Sequence, residues 1–105
     1  MTKTTNYEIS KKLAEIGFSR QPFWVWTSKD CCCPYETHLD GFRAYDLETL
    51  LDVLPDTIGG CLMIHKEGMY YQESMVEVAK LENESLADTA GRMIIELYNN
   101  NLINF

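Results

Sequence analysis

Residues 44–55, Ala-Tyr-Asp-Leu-Glu-Thr-Leu-Leu-Asp-Val-Leu-Pro, constrain the fold more than any other stretch of the chain. Asp46 stands where a helix N-cap belongs, because its carboxylate can accept a bond from the free N–H of Thr49 or its neighbour. Tyr45 before the cap and Leu50 after it have hydrophobic-staple spacing. Leu47, Leu50, Leu51 and Leu54 recur at intervals of three and four, so they share one face. Asp46 and Glu48 lie in the first turn, where the helix dipole favours negative charge. Pro55 cannot continue the hydrogen-bond ladder and pushes Leu54 out of the helical region. The pattern predicts a short core helix whose polar edge, Glu48 and Asp52, is all that remains for a groove.

A chain of 105 residues is expected to form one domain, residues 1–105. With 46% hydrophobic and 24% charged residues it has ordinary globular material for a core. No apolar run approaches the ~20 residues that a membrane helix needs. The opening Met-Thr-Lys-Thr-Thr-Asn has no signal-peptide apolar segment. The expectation is a cytoplasmic protein with no membrane partner, in which the four cysteines are thiols rather than a disulfide framework. The net charge of −7 and the scattering of the nine basic residues argue against a nucleic-acid backbone as partner. An acidic surface instead maintains solubility or meets a basic partner.

The rest of the chain reads as alternating helices and strands. Thr5 and Glu8 have capping-box spacing ahead of a helix over 5–16, with Ile9, Leu13 and Ile16 on its apolar face. Gly17 is placed to end that helix in a left-handed conformation, with Phe18 folding back on its last turn. Phe23-Trp24-Val25-Trp26-Thr27 predicts a strand with the two tryptophans on one face. Residues 28–43 are the least regular and hold the Cys31-Cys32-Cys33-Pro34 run; part of them is expected to form a strand leading into Tyr45. Cys61 to His65 is nearly all apolar and predicts a central strand. A hairpin through Lys66-Glu67-Gly68 leads to a strand from Met69, and Met75 to Leu81 supplies another. Ser85 and Asp88 have capping-box spacing for a last helix whose face is Leu86, Ala90, Met93, Ile94 and Leu97. Asn99 to Asn101 unwinds it, and Leu102, Ile103 and Phe105 form an apolar tail. The element order predicts an α+β fold: a small, mostly antiparallel sheet of about four strands with three helices packed on one face.

Chemistry-bearing residues are sparse. Trp24 and Trp26 on an exposed face would give a stacking platform, although such aromatics more often fill cores. Arg43 and Tyr45 beside them complete the candidate ligand-binding set, with the guanidinium suited to a phosphate or carboxylate. Cys31, Cys33 and His38, with Cys61 or His65 as a fourth ligand, could hold zinc, the one cofactor for which the residues supply ligands. The spacing is not C-x-x-C and no second pair repeats it. A catalytic Cys33 with His38 or His65 as base lacks any surrounding nucleophile motif. No phosphate loop is present: Gly59-Gly60 has no trailing Lys-Ser/Thr. The chain reads as a non-enzyme with no catalytic residue.

Ala44 to Pro55, the helix from Ala87-Asp88-Thr89-Ala90 to Glu96-Leu97 with its Asn-Asn-Leu-Ile ending, and the opening from Tyr7-Glu8-Ile9-Ser10 to Gly17-Phe18 together touch about half the chain. In these segments the sequence resembles small proteins carried by phages and prophages of gut bacteria. The Cys-Cys-Cys-Pro run departs from that group. The resemblance implies a cytosolic accessory protein of a mobile element that binds a host protein or a small molecule, and it carries no catalytic residue. The alternative expectation is a small zinc-binding protein using the Cys31–His38 loop. The aromatic strand and the apolar tail could each pair across a homodimer.

Overall fold

The computed structural model describes residues 4–36, 40–55, 62–65, 68–71, 77–79, 81 and 84–103, His65 by its backbone alone. The chain runs α1 (Tyr7–Glu15), β1 (Trp24–Ser28), β2 (Cys31–Pro34), β3 (Phe42–Ala44), α2 (Leu47–Val53), β4 (Leu62–His65), β5 (Gly68–Tyr71), β6 (Glu77–Ala79) and α3 (Leu86–Asn99). The fold is α+β with antiparallel pairing throughout the described strands. Instead of one sheet of about four strands, the strands divide into two sheets of three, ordered β2-β1-β3 and β4-β5-β6. Among the described residues, no helix is long and apolar enough to cross a membrane.

The local signals for helix ends are realised with one shift. α1 is capped by Asn6, whose side chain accepts the Ile9 N–H at 2.8 Å, and not by Thr5. Thr5 is fully buried and its groups are used elsewhere. At the far end, Phe18 N–H donates to Leu13 O and Gly17 N–H to Ala14 O, with Gly17 at φ +89°. These are the two bonds of a Schellman cap, and they fold the buried Phe18 back onto Leu13 in the core. Asp46 caps α2 through Thr49 N–H at 2.9 Å, and Leu54 leaves the helix in an extended conformation before Pro55. Ser85 caps α3 through Asp88 N–H. α3 ends in a second Schellman arrangement, with Asn101 at φ +58° standing where glycine usually does. Ile103 then packs back against the core, whereas Leu102 is exposed.

α3 is the centre of the packing. It touches α1, α2, β5 and β6. Ala90, Met93, Ile94 and Leu97 on its apolar face are fully buried, and they meet Ile9 and Leu13 from α1, Leu50 from α2, and Met69, Tyr71 and Val78 from the second sheet. Burying a side chain of this class stabilises the fold by about 1.5–3 kcal/mol each before entropy is counted. β5, not the more apolar β4, is the central strand: Ile64 on β4 is 45% exposed, while Met69 and Tyr71 on β5 are buried. An apolar run marks a strand but does not rank it, because β5 gains its place by facing α3. The Tyr71 hydroxyl donates to Pro55 O at 2.7 Å, tying the second sheet to the end of α2.

The first sheet is buried far more thinly. Val25 and Ala44 are its buried residues, and neither belongs to the main cluster. α1 packs on β3, with the Tyr7 ring in edge-to-face contact with Trp26 and Phe42. Phe23, just before β1, is 70% exposed. Candidate chemistry therefore sits on and beside this sheet rather than in the core.

Candidate functional site

Thr5 anchors the first sheet. Its N–H donates to Tyr45 O, and its Oγ1 accepts Tyr45 N–H at 3.1 Å. Its carbonyl accepts the indole Nε1–H of Trp26 at 3.0 Å, and its hydroxyl lies 2.7 Å from the Ser10 hydroxyl. Two of the predicted ligand-binding residues are thus held from the same point. Trp26 spends its one donor on Thr5 and stands edge-to-face with the Tyr7 ring at 84°, so it serves the seam between α1 and the sheet. Trp24, half-buried, pairs in register with Pro34 and Ala44 on the same face.

Arg43 and Tyr45 come together at a cleft of about 290 Å³. It is lined by Ser10 and Ala14 of α1, by the Gly17–Ser19 segment, and by Gly41, Arg43 and Tyr45. Neither tryptophan is in this lining. Tyr45 is almost fully buried, and its ring meets Phe18 edge-on at 4.8 Å. Its hydroxyl accepts the Arg20 N–H at 3.1 Å. Burial pushes the Tyr45 phenol above its ordinary value, partly offset by the Arg20 N–H and the positive charge of Arg43. Arg43 donates through Nη1 to Ser19 Oγ at 3.0 Å and to Arg20 O at 2.8 Å, and its Cζ lies 5.7 Å from the centre of the Tyr35 ring. Arg20 covers Phe18 in the same way at 5.6 Å. Neither guanidinium has a carboxylate partner among the described residues. By contrast, Arg92 is bound to Glu84 at 2.9 Å and to Ala79 O.

Gly41 makes the cleft possible. A Cβ at this position would lie 2.1 Å from the Trp26 carbonyl oxygen, so only glycine lets the chain entering β3 press against β1.

The second cluster is on β2. Cys31 and Cys33 share one face of β2 as alternate strand residues, and their side chains lean together so that the sulfurs lie 3.3 Å apart. The register between β1 and β2 slips between Trp26 and Ser28, leaving Thr27 as the extra residue of a bulge. That bulge turns the Thr27 hydroxyl toward Cys31 O at 3.4 Å and Cys33 Sγ at 3.9 Å. The Thr27 hydroxyl, together with Cys33, holds the Cys31 thiol below its ordinary value, whereas the bond to Cys31 raises Cys33. Burial raises Cys32, which pairs with Trp26. For the expected zinc site, Cys31 and Cys33 are brought together, while His38 and Cys61 lie outside the described residues, as does the side chain of His65. Among the described residues, no group of three or more His, Cys, Asp or Glu is placed to hold a metal ion.

Sequence reasoning did not single out Thr27, Ser19 or Gly41. The two-residue span Lys29-Asp30 signals the hairpin, but its regular register would pair Thr27 with Cys32; only the bulge, for which the sequence carries no signal, turns Thr27 toward Cys31 and Cys33. Compared with known proteins, the chain matches no family model, no curated protein and no solved structure.

Proposed function

We propose that the protein is a non-enzymatic binder that takes a small molecule bearing an anionic group in the cleft between α1 and β3. This is the accessory role that its resemblance to phage and prophage proteins implies. The supporting observation is Arg43: a guanidinium lining a cleft, with no carboxylate partner among the described residues, in a chain that carries 16 acidic and nine basic residues. Its Nη1 is committed to Ser19 and Arg20, which fixes the plane of the fork and leaves its other donors for a ligand. Phe18 and Tyr45 supply apolar wall, and Ser19 a hydroxyl.

The test is a thermal-shift screen of small carboxylates, sulfonates and phosphates against wild type, Arg43→Gln and Arg43→Lys. At least one anion should raise the melting temperature of the wild type. Arg43→Gln should weaken that anion about tenfold or more, and Arg43→Lys less, since it keeps the charge without the fork. A screen in which no anion stabilises the wild type, or in which Arg43→Gln binds equally well, would overturn the reading. Retention of a host protein equally by wild type and Arg43→Gln would move the binding function off the cleft.

A further inference from the structure

The thiol pair on β2 is independent of the cleft. Among the described residues β2 is an edge strand, with no further strand of the sheet on its outer side. Cys31 stands at its start, exposed, directly after the two-residue turn, and Cys33 is half-exposed two residues on. Cys32, between them, points to the opposite face beside Trp26. The two sulfurs already touch at 3.3 Å, and closing to a bonded separation of about 2.0 Å bends this end of the edge strand, because the bond needs the two Cβ atoms about 3.8 Å apart and alternate strand residues stand about 6.6 Å apart. The Thr27 hydroxyl is aimed at this pair by a bulge, a feature that re-aims side chains at sheet edges.

We propose that Cys31 and Cys33 form a thiol–disulfide exchange site for small disulfides of the glutathione class, with Cys31 as the attacking sulfur and Cys33 as the resolving one. Cys31 gives up its proton, and its thiolate attacks one sulfur of the small disulfide. The sulfur–sulfur bond of the reagent breaks, a mixed disulfide forms on Cys31, and the first small thiol leaves with a proton. Cys33 then gives up its proton and attacks the Cys31 sulfur, expelling the second small thiol. Two protein thiols are oxidised by two electrons, and one small disulfide is reduced to two thiols. An attacking sulfur must be accessible, and this selects Cys31, which is exposed at the start of the strand, whereas Cys33 is half-exposed and paired with Val25.

The experiment exposes the reduced protein, purified without chelator, to oxidised glutathione at neutral pH. Acid-quenched samples are read by intact mass and peptide mapping. The wild type should lose two hydrogens, retain no glutathione and carry a link between Cys31 and Cys33. Cys33→Ser should stop with one glutathione on Cys31. Cys31→Ser should react about tenfold more slowly. Cys32→Ser and Cys61→Ser should behave as wild type. Three results would overturn the proposal, each readable on the wild type alone. One is accumulation of the mixed disulfide without resolution, and another is a link through Cys32 or Cys61. The third is a full equivalent of zinc with thiols inert until a chelator is added, which would make the pair part of a metal site.

Discussion

The Asp88 carboxylate, in the first turn of α3, accepts the backbone N–H of Asn6 at 2.6 Å across 82 residues of chain. A side chain in the first turn of one helix therefore takes a backbone donor at the start of another, since Asn6 is itself the cap of α1. A bond this short to a charged acceptor favours ionisation. Burial nevertheless outweighs it: Asp88 is only 7% exposed, and its carboxyl is held above the ordinary aspartate value.

The pH dependence follows from that direction. With the folded pKa raised, the native state holds the proton more tightly than the unfolded chain, so the Asp88 contribution is fully present in acid. It is lost as pH rises through the folded pKa. Asp88→Asn keeps an acceptor and removes the charge. Its stability relative to wild type should rise with pH and then level off, in urea melts taken from about pH 3 to pH 7. Asp88→Ala, which leaves the Asn6 N–H without its partner, should cost about 1–3 kcal/mol. A gap between Asp88→Asn and wild type that does not change with pH would count against this account.

Gly91 sets the distance between α1 and α3. A Cβ there would lie 2.6 Å from Ile9 Cγ2 and 3.2 Å from Thr5 Cγ2. Alanine improves helix propensity by about 1 kcal/mol, but forcing the helices apart costs about 1–3 kcal/mol. Gly91→Ala should therefore lower stability by up to about 2 kcal/mol, measured by chemical denaturation. A variant more stable than wild type would show that the Ile9 side chain yields freely.

Thr5→Val preserves shape and removes the hydroxyl oxygen that accepts the buried Tyr45 N–H. The orphaned donor should cost about 1–3 kcal/mol. Because the Thr5 carbonyl still receives the Trp26 indole, tryptophan emission in the folded state should stay close to that of wild type. A large red shift without loss of stability would mean that the hydroxyl, not the carbonyl, positions Trp26.

The local features were legible because they depend on neighbours in sequence. Asp46, Ser85, Gly17 and Pro55 act on donors, acceptors and torsions within a turn of themselves, and the apolar spacing of α3 is local periodicity. The α+β class and antiparallel pairing follow from such signals. Long-range competition for partners decided the rest. Thr5 has the right residue type and spacing for a cap, yet Asn6 takes that role because Thr5 is needed by Tyr45, Ser10 and Trp26. Strand patterns show which residues extend but not which sheet they join, so the division into two sheets and the central place of β5 arise from packing on α3. The Arg43–Tyr45 cleft exists because Gly41 admits the Trp26 carbonyl. The thiol pair meets a hydroxyl because a bulge displaces Thr27. Local sequence determined what each segment could be. Tertiary structure decided which polar groups would satisfy one another, because every buried donor must find its acceptor somewhere in the fold.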